Sequence, residues 1–194
     1  SIEGGNTTVL NAGADLITIS KDPHVWLSIP LALHQAEAIH ETIIRLDPVN
    51  SEYYYVHFQD LKNKLVNLDE EYRQGLSNCK SKDFITSHAA FGYLANEYGL
   101  NQVAISGLNP DQEPSAKKLA AVANYAKKNN VKYIFFESLV SPKLSQTIAR
   151  EVGAQTLVLN PIEGLGDAEI KQGKNYFTEM RNNLSNLKIA LQCK

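Results

Sequence analysis

Cysteine, tryptophan and methionine are scarce in this chain: two, one and one in 194 residues. Two cysteines, Cys79 in LSNCKSK and Cys193 in ALQCK, exclude a disulfide-dense scaffold and a CxxC pair. Two readings of them stay open. They are free thiols, or they form one bridge tying the chain end to its middle, which would suit an oxidising compartment. An excess of charge of one sign is also missing. Nineteen Lys and Arg against 21 Asp and Glu give a formal net charge of −2, so there is no electrostatic footprint for nucleic acid. No apolar run reaches the roughly 20 residues that a transmembrane helix needs. The opening SIEGGNTTVL lacks a signal-peptide pattern and reads as a mature or cut segment. Internal repeats and low-complexity tracts are absent.

What remains is ordinary globular composition, 43% hydrophobic and 21% charged, in a chain long enough for one good core or two small lobes. Residues 7–19, TTVLNAGADLITI, read as extended because β-branched and apolar residues flank Asn-Ala-Gly. Ser28 is a good N-cap and Pro30 fits a first helical turn. Apolar residues then recur with helical spacing from Ile29 to Leu46, and again from Tyr54 to Tyr72 in steps of three and four. The spacing predicts a long, nearly continuous helical stretch over 28–76 with a bend at Pro48. Beyond it the pattern changes. DFITS (83–87), QVAI (102–105), KYIFFES (132–138) and QTLVLN (155–160) read as strands, separated by helices at 89–98, 114–129, 141–152 and 167–190. Strands alternating with helices predict an α/β lobe with a parallel sheet.

Ligands of open parallel sheets bind outside the carboxyl ends of the strands. The side chains that follow the predicted strands are His88, then Asp111 and Glu113, then Glu137, then Glu163 and Asp167. His24, framed by Pro23 and Trp26, stands at the head of the long helical stretch. Two imidazoles and one carboxylate meeting at one point would supply two neutral nitrogens and an anionic oxygen, a donor set that zinc favours. Plainer roles compete for each residue. His88 could bond a carbonyl, Glu163 could sit at a helix N-terminus or in solvent, and His24 could be a satisfied structural histidine. His34, Glu37 and Glu41 share a helical face that reads as solvated, and His40 and His57 receive no role.

Several stretches, taken in order, carry a resemblance. DPHVWLS, FITSHAAFGYLANEYGL, GLNPDQEPSAKKL, IFFES and LNPIEGL resemble the metal-binding solute receptors of bacterial zinc and manganese ABC importers. The resemblance implies two α/β lobes joined by one long helix, with the metal held between the lobes. This chain then reads as the end of an N-terminal lobe (1–27), a long linker helix (28–80) and a C-terminal α/β lobe (81–194), lacking most of the first lobe. It also implies metal ligands at His24, His88 and Glu163. Asp22, Trp26 and Glu137, by their positions next to these residues or at a strand end, are candidates for orienting them from behind. A further family histidine, from early in the first lobe, has no counterpart here, and the histidine-rich loop common before DPH in zinc members is missing from TISKDPH. Family members usually read LSP where this chain has LSI, which would shift the helix start by one residue. A histidine at position 88 goes with zinc in the family, and a carboxylate there with manganese, so Zn2+ is the expected ion and Mn2+ the second choice.

The function implied is an extracytoplasmic receptor, periplasmic or anchored at the cell surface, that hands Zn2+ to a membrane permease. It would not be an enzyme and would not bind nucleic acid. Two rival readings remain: a zinc-dependent hydrolase, since three ligands plus water resemble a catalytic site, and a structural α/β interaction module without metal. If the first lobe is absent, exposed apolar surface should drive dimerisation or lobe swapping.

Overall fold

The computed structural model describes residues 7–17, 19, 21–109, 113–137 and 142–194. Helix α1 (Ile29–Leu46) starts where the cap residues place it: the Ser28 hydroxyl accepts from Leu31 N, and Pro30 lies in the first turn. The helix begins at Ile29, with Pro30 as its second residue.

The bend foreseen at Pro48 is a full reversal. A single 3-10 turn, Pro48–Asn50, separates α1 from α2 (Ser51–Leu76). Asp47 stabilises the corner by accepting from the Asn50 amide and the Tyr54 hydroxyl, both at 2.7 Å. The helices then run antiparallel, since the cross-helix partners pair early with late: Glu37 with Lys62, and His40 stacked on Phe58 at 4.4 Å. Two apolar stripes that one straight helix would have left in water thus partly cover each other. The extended reading of residues 7–19 is also corrected. Ala14–Leu16 forms a 3-10 turn, and no described residue of that segment pairs as a strand.

The α/β pattern from residue 81 onward forms as the sequence predicts. Strands β1 (Asp83–Thr86), β2 (Asn101–Ala104), β3 (Tyr133–Phe136) and β4 (Gln155–Val158) make one sheet in the order β2-β1-β3-β4, every pair parallel. Helices α3 (Gly92–Glu97), α4 (Ala116–Lys128), α5 (Lys143–Val152), α6 (Asp167–Lys171) and α7 (Tyr176–Leu191) connect or follow them. The expected last helix over 167–190 is two helices, because Gly173 takes a left-handed conformation (φ 78°) and Asn175 caps a new start.

Side-chain alternation splits the core into two layers. Phe84 and Phe135 face a cluster built with Leu68, Tyr72, Leu94, Leu187 and Leu191, so α2, α3 and α7 lie on one side of the sheet. Ile85 and Ile134 face Val122, Ala126 and Ile148, placing α4 and α5 on the other. Cys79 and Cys193 form a disulfide, which joins the segment after α2 to the segment after α7. The carboxyl ends of β1, β3 and β4 therefore open onto one rim, and the turn before α1 is packed against it: the Trp26 indole donates to Pro161 O at 2.8 Å, and the Tyr176 hydroxyl donates to Trp26 O at 2.8 Å.

Candidate metal centre

His24 and His88 reach one point by different routes. His24 closes the Asp22-Pro23-His24 turn just ahead of the 3-10 turn Val25–Leu27, whose Val25 and Leu27 are buried. His88 lies two residues past β1, where Thr86 Oγ1 and the Gln102 amide both donate to its carbonyl. Each ring is fixed by the same device. Asp22 Oδ1 accepts from His24 N at 3.0 Å and from His24 Nδ1 at 2.6 Å. Glu137 Oε1 accepts from His88 N at 3.2 Å and from His88 Nδ1 at 2.7 Å. An ionised carboxylate can only accept, so each Nδ1 is the donor in these bonds and each Nε2 is turned to the opposite edge of its ring.

They face Glu163. Its Oε1 lies 3.0 Å from His24 Nε2 and 3.7 Å from His88 Nε2. Donor atoms of the three residues all fall within 4.8 Å of one another. A tetrahedral zinc with bonds of about 2.0–2.1 Å sets its donors roughly 3.3–3.4 Å apart, so the two observed separations bracket what such an ion needs. His88 Nε2 is buried and has no hydrogen-bond partner among the described residues. An orphaned buried acceptor costs about 1–3 kcal/mol, and a cation on its lone pair removes that cost. The donor set and its geometry thus fit a zinc ion.

The surroundings are dry and anionic. His24, His88, Asp22 and Glu137 are buried, whereas the Glu163 side chain is one-third exposed and forms the outer wall. Burial is the largest single influence on the His24 imidazole and pulls its pKa down. Hydrogen bonds and charge from Asp22 and Glu163 together outweigh it, leaving the ring above its ordinary 6.5. A metal at Nε2 would compete with a proton for the same lone pair.

The structure therefore brings together His24, His88 and Glu163, with Asp22 and Glu137 each bonded to one ring and Trp26 edge-on to His24 at 5.3 Å. It leaves the other candidates apart. His34 and Glu37 pair with each other on the surface, and Glu41 is exposed. His57 donates to Tyr53 O, and His40 lies on Phe58. Glu113 and Asp167 are exposed, and Asp111 lies outside the described residues. Two contributors escaped the sequence reading. A Cβ on Gly92 would come to 3.0 Å from Asp22 Oδ2, so that glycine makes room for the carboxylate behind His24. Asn160 is buried at the base of the Glu163 loop and bonded to α7. The polar Glu179 and Asn183, one turn apart among the buried Met180, Leu184 and Leu187, were the available signal.

Sheet and cluster together define a parallel α/β protein with a metal-capable donor set at the carboxyl rim of its strands, the place where open sheets bind their ligands. The chain belongs to the family described as ZnuA, zinc-uptake complex component A, periplasmic, whose model matches residues 3–190. It is 49% identical over 173 residues to the high-affinity zinc uptake system protein ZnuA of Bacillus subtilis, covering 89% of this chain and 54% of that protein. Among solved structures it is similar to the Zn(II)-bound ZnuA-like domain of Streptococcus pneumoniae AdcA, with a TM-score of 0.81 and 43% identity over 94% of this chain and 69% of that one. The laminin-binding protein Lmb of Streptococcus agalactiae superimposes with a TM-score of 0.88 at 34% identity, covering 98% and 74%. The chain spans about half the length of the Bacillus protein and a third of the zinc-binding protein AdcA of Streptococcus pyogenes.

Proposed function

We propose that this chain is the metal-holding part of an extracytoplasmic receptor that captures Zn2+ and delivers it to the permease of an ABC importer. His24, His88 and Glu163 are the ligands in this reading, Asp22 and Glu137 fix the two rings, and Trp26 shields His24. The observation that carries it is the convergence of two carboxylate-oriented Nε2 atoms on one carboxylate oxygen. Nitrogen donors favour zinc over manganese. The named relatives are uptake and zinc-binding proteins, which supports a receptor over a hydrolase. The mechanism is capture: the two imidazoles and Glu163 offer their donor atoms to zinc, and the carboxylate offsets the ion's charge.

Within such a receptor, residues 81–194 would be the second lobe, 28–80 the linking helical hairpin and 1–27 the close of the first lobe. An oxidising, extracytoplasmic address agrees with the Cys79–Cys193 bridge. Self-association of this chain would use the apolar flank of the hairpin, where Ile39, Leu46, Val49 and Val56 are exposed. Light scattering checks that point, and a monomer across the concentration range would count against it.

Calorimetric titration of the 194-residue chain tests the main reading. Zinc should bind at one site per chain, and His88→Ala should weaken it at least about tenfold. Unchanged affinity in that variant would remove His88 from the ligand set.

A further inference from the structure

Glu163 is the most exposed of the three donors, and its Oε1 reaches over to within 3.0 Å of His24 Nε2. Its loop is held from below. Asn160, 3% exposed, makes four hydrogen bonds there. Its backbone N–H donates to Asn183 Oδ1 at 2.8 Å, and the Asn183 amide donates back to Asn160 O at 2.7 Å. The Asn160 amide nitrogen donates to Glu179 Oε2 at 3.0 Å. Its amide oxygen accepts from Ile162 N at 2.8 Å.

The last bond closes the turn that matters. Ile162 is left-handed, with φ 57°. A β-branched residue is a poor choice for that region, and such a conformation costs on the order of 1–3 kcal/mol unless its surroundings impose it. Here they do. Asn160 caps the turn from inside, the Trp26 indole holds Pro161 O from the other side, and the chain is redirected immediately before Glu163. Glu179 is itself fixed by the Asn182 amide, with the Lys174 ammonium at 3.8 Å. A buried carboxylate and amide on α7, one helical turn apart, therefore act on one asparagine at the foot of the metal loop.

We propose that Asn160, gripped by Asn183 and Glu179, is a positioning residue that holds Ile162 left-handed and thereby sets the Glu163 carboxylate at zinc-binding distance from His24 and His88. The inference rests on the zinc-receptor reading. It adds a part of the molecule, the buried polar row of α7, that the ligands do not touch.

A double-mutant cycle on the full chain tests it, with zinc affinity read by competition against a chromophoric chelator. Asn160→Ala should weaken zinc by about 10- to 100-fold, the usual effect of removing a group that orients a ligand. Combined with Glu163→Ala, the same substitution should add less than about twofold, since the side chain it positions is gone. Equal losses in both backgrounds, or no loss in the native one, would overturn the proposal. Should Asn160→Ala fail to fold, Glu179→Ala and Glu179→Gln make the same comparison. The glutamine retains an acceptor for Asn160 and should keep zinc affinity within about threefold, while the alanine should not. Equal behaviour of these two variants would also overturn it. Trp26 is the only tryptophan and bonds Pro161, so its emission in the metal-free protein should shift in Asn160→Ala. If Glu163→Ala alone leaves affinity intact, the ligand assignment fails; if it weakens zinc and Asn160→Ala does not, only this inference fails.

Discussion

The two halves of α2 carry similar apolar stripes and meet opposite fates. In the second half, Leu65, Leu68, Tyr72 and Leu76 are buried. In the first half, the same stripe runs through Tyr54, Phe58 and Leu61, and none of them is buried. Helical periodicity is the same in both. What differs is the surface opposite. The second half lies on the sheet and α7, and is tied there: the Tyr72 hydroxyl donates to Met180 O at 2.6 Å, Arg181 grips Glu71, and the disulfide closes just beyond. The first half faces α1, with an apolar groove of about 240 Å³ between them lined by Ile39, Ile43, Tyr54 and Phe58. Periodicity states which face of a helix is apolar; only the tertiary partner decides whether that face is dry.

The largest effect that sharpens this contrast comes from the disulfide. Its 114-residue separation gives a long loop in the unfolded chain, and a closure of that length stabilises by about 5 kcal/mol in the chain-entropy account. Replacing both cysteines by serine should lower the denaturant-derived stability by about that amount; a change under about 1 kcal/mol would mean the second half of α2 is held by packing alone. Next comes a matched pair of truncations. Leu68→Ala, at a site with no exposed surface, should cost about 2–5 kcal/mol, and Leu61→Ala, 36% exposed on the same stripe, about 1 kcal/mol. Comparable losses by chemical denaturation would dissolve the distinction between the halves.

The same principle marks what could be read before the fold was seen. All four strands were legible, because buried parallel strands are short runs of β-branched and aromatic residues between helical periods. Residues 7–19 have similar composition, and no described residue among them pairs as a strand. Val9 and Leu10 are exposed, and the Asn11 side chain accepts from Gly13 N to start a turn. The reversal at Pro48 was misjudged because proline reports that a helix is interrupted, not the angle at which the next one leaves. At the rim, His24, His88 and Glu163 were found from strand-end logic together with the family resemblance, and their convergence is visible in the distances. Asn160 and Gly92 were not found. Their contributions depend on which atoms lie behind a loop or beside a carboxylate, and a single sequence does not encode that locally.

The smallest effect separates packing from charge within the tied half. Arg181 on α7 makes a bidentate pair with Glu71 on α2, Nε to Oε2 and a terminal nitrogen to Oε1, both 2.8 Å. The Arg181 hydrogen bond is the main reason the Glu71 carboxyl sits below its ordinary 4.5. A depressed folded-state pKa contributes stability that is present above the unfolded value and fades as pH falls through the folded one. Both side chains are more than a third exposed, so water and salt screen the pair, and its contribution near neutral pH should be about 0.5 kcal/mol or less. Arg181→Gln should therefore lower the melting temperature slightly at about pH 7, and the difference should fade as pH falls through the depressed folded-state pKa of Glu71. Salt at about 1 M should erase the difference at the higher pH as well. A loss of several kcal/mol that persists in acid and in salt would show that the Arg181 stem packs the α2–α7 junction, and that the tied half owes its dryness at this edge to apolar contact instead of charge.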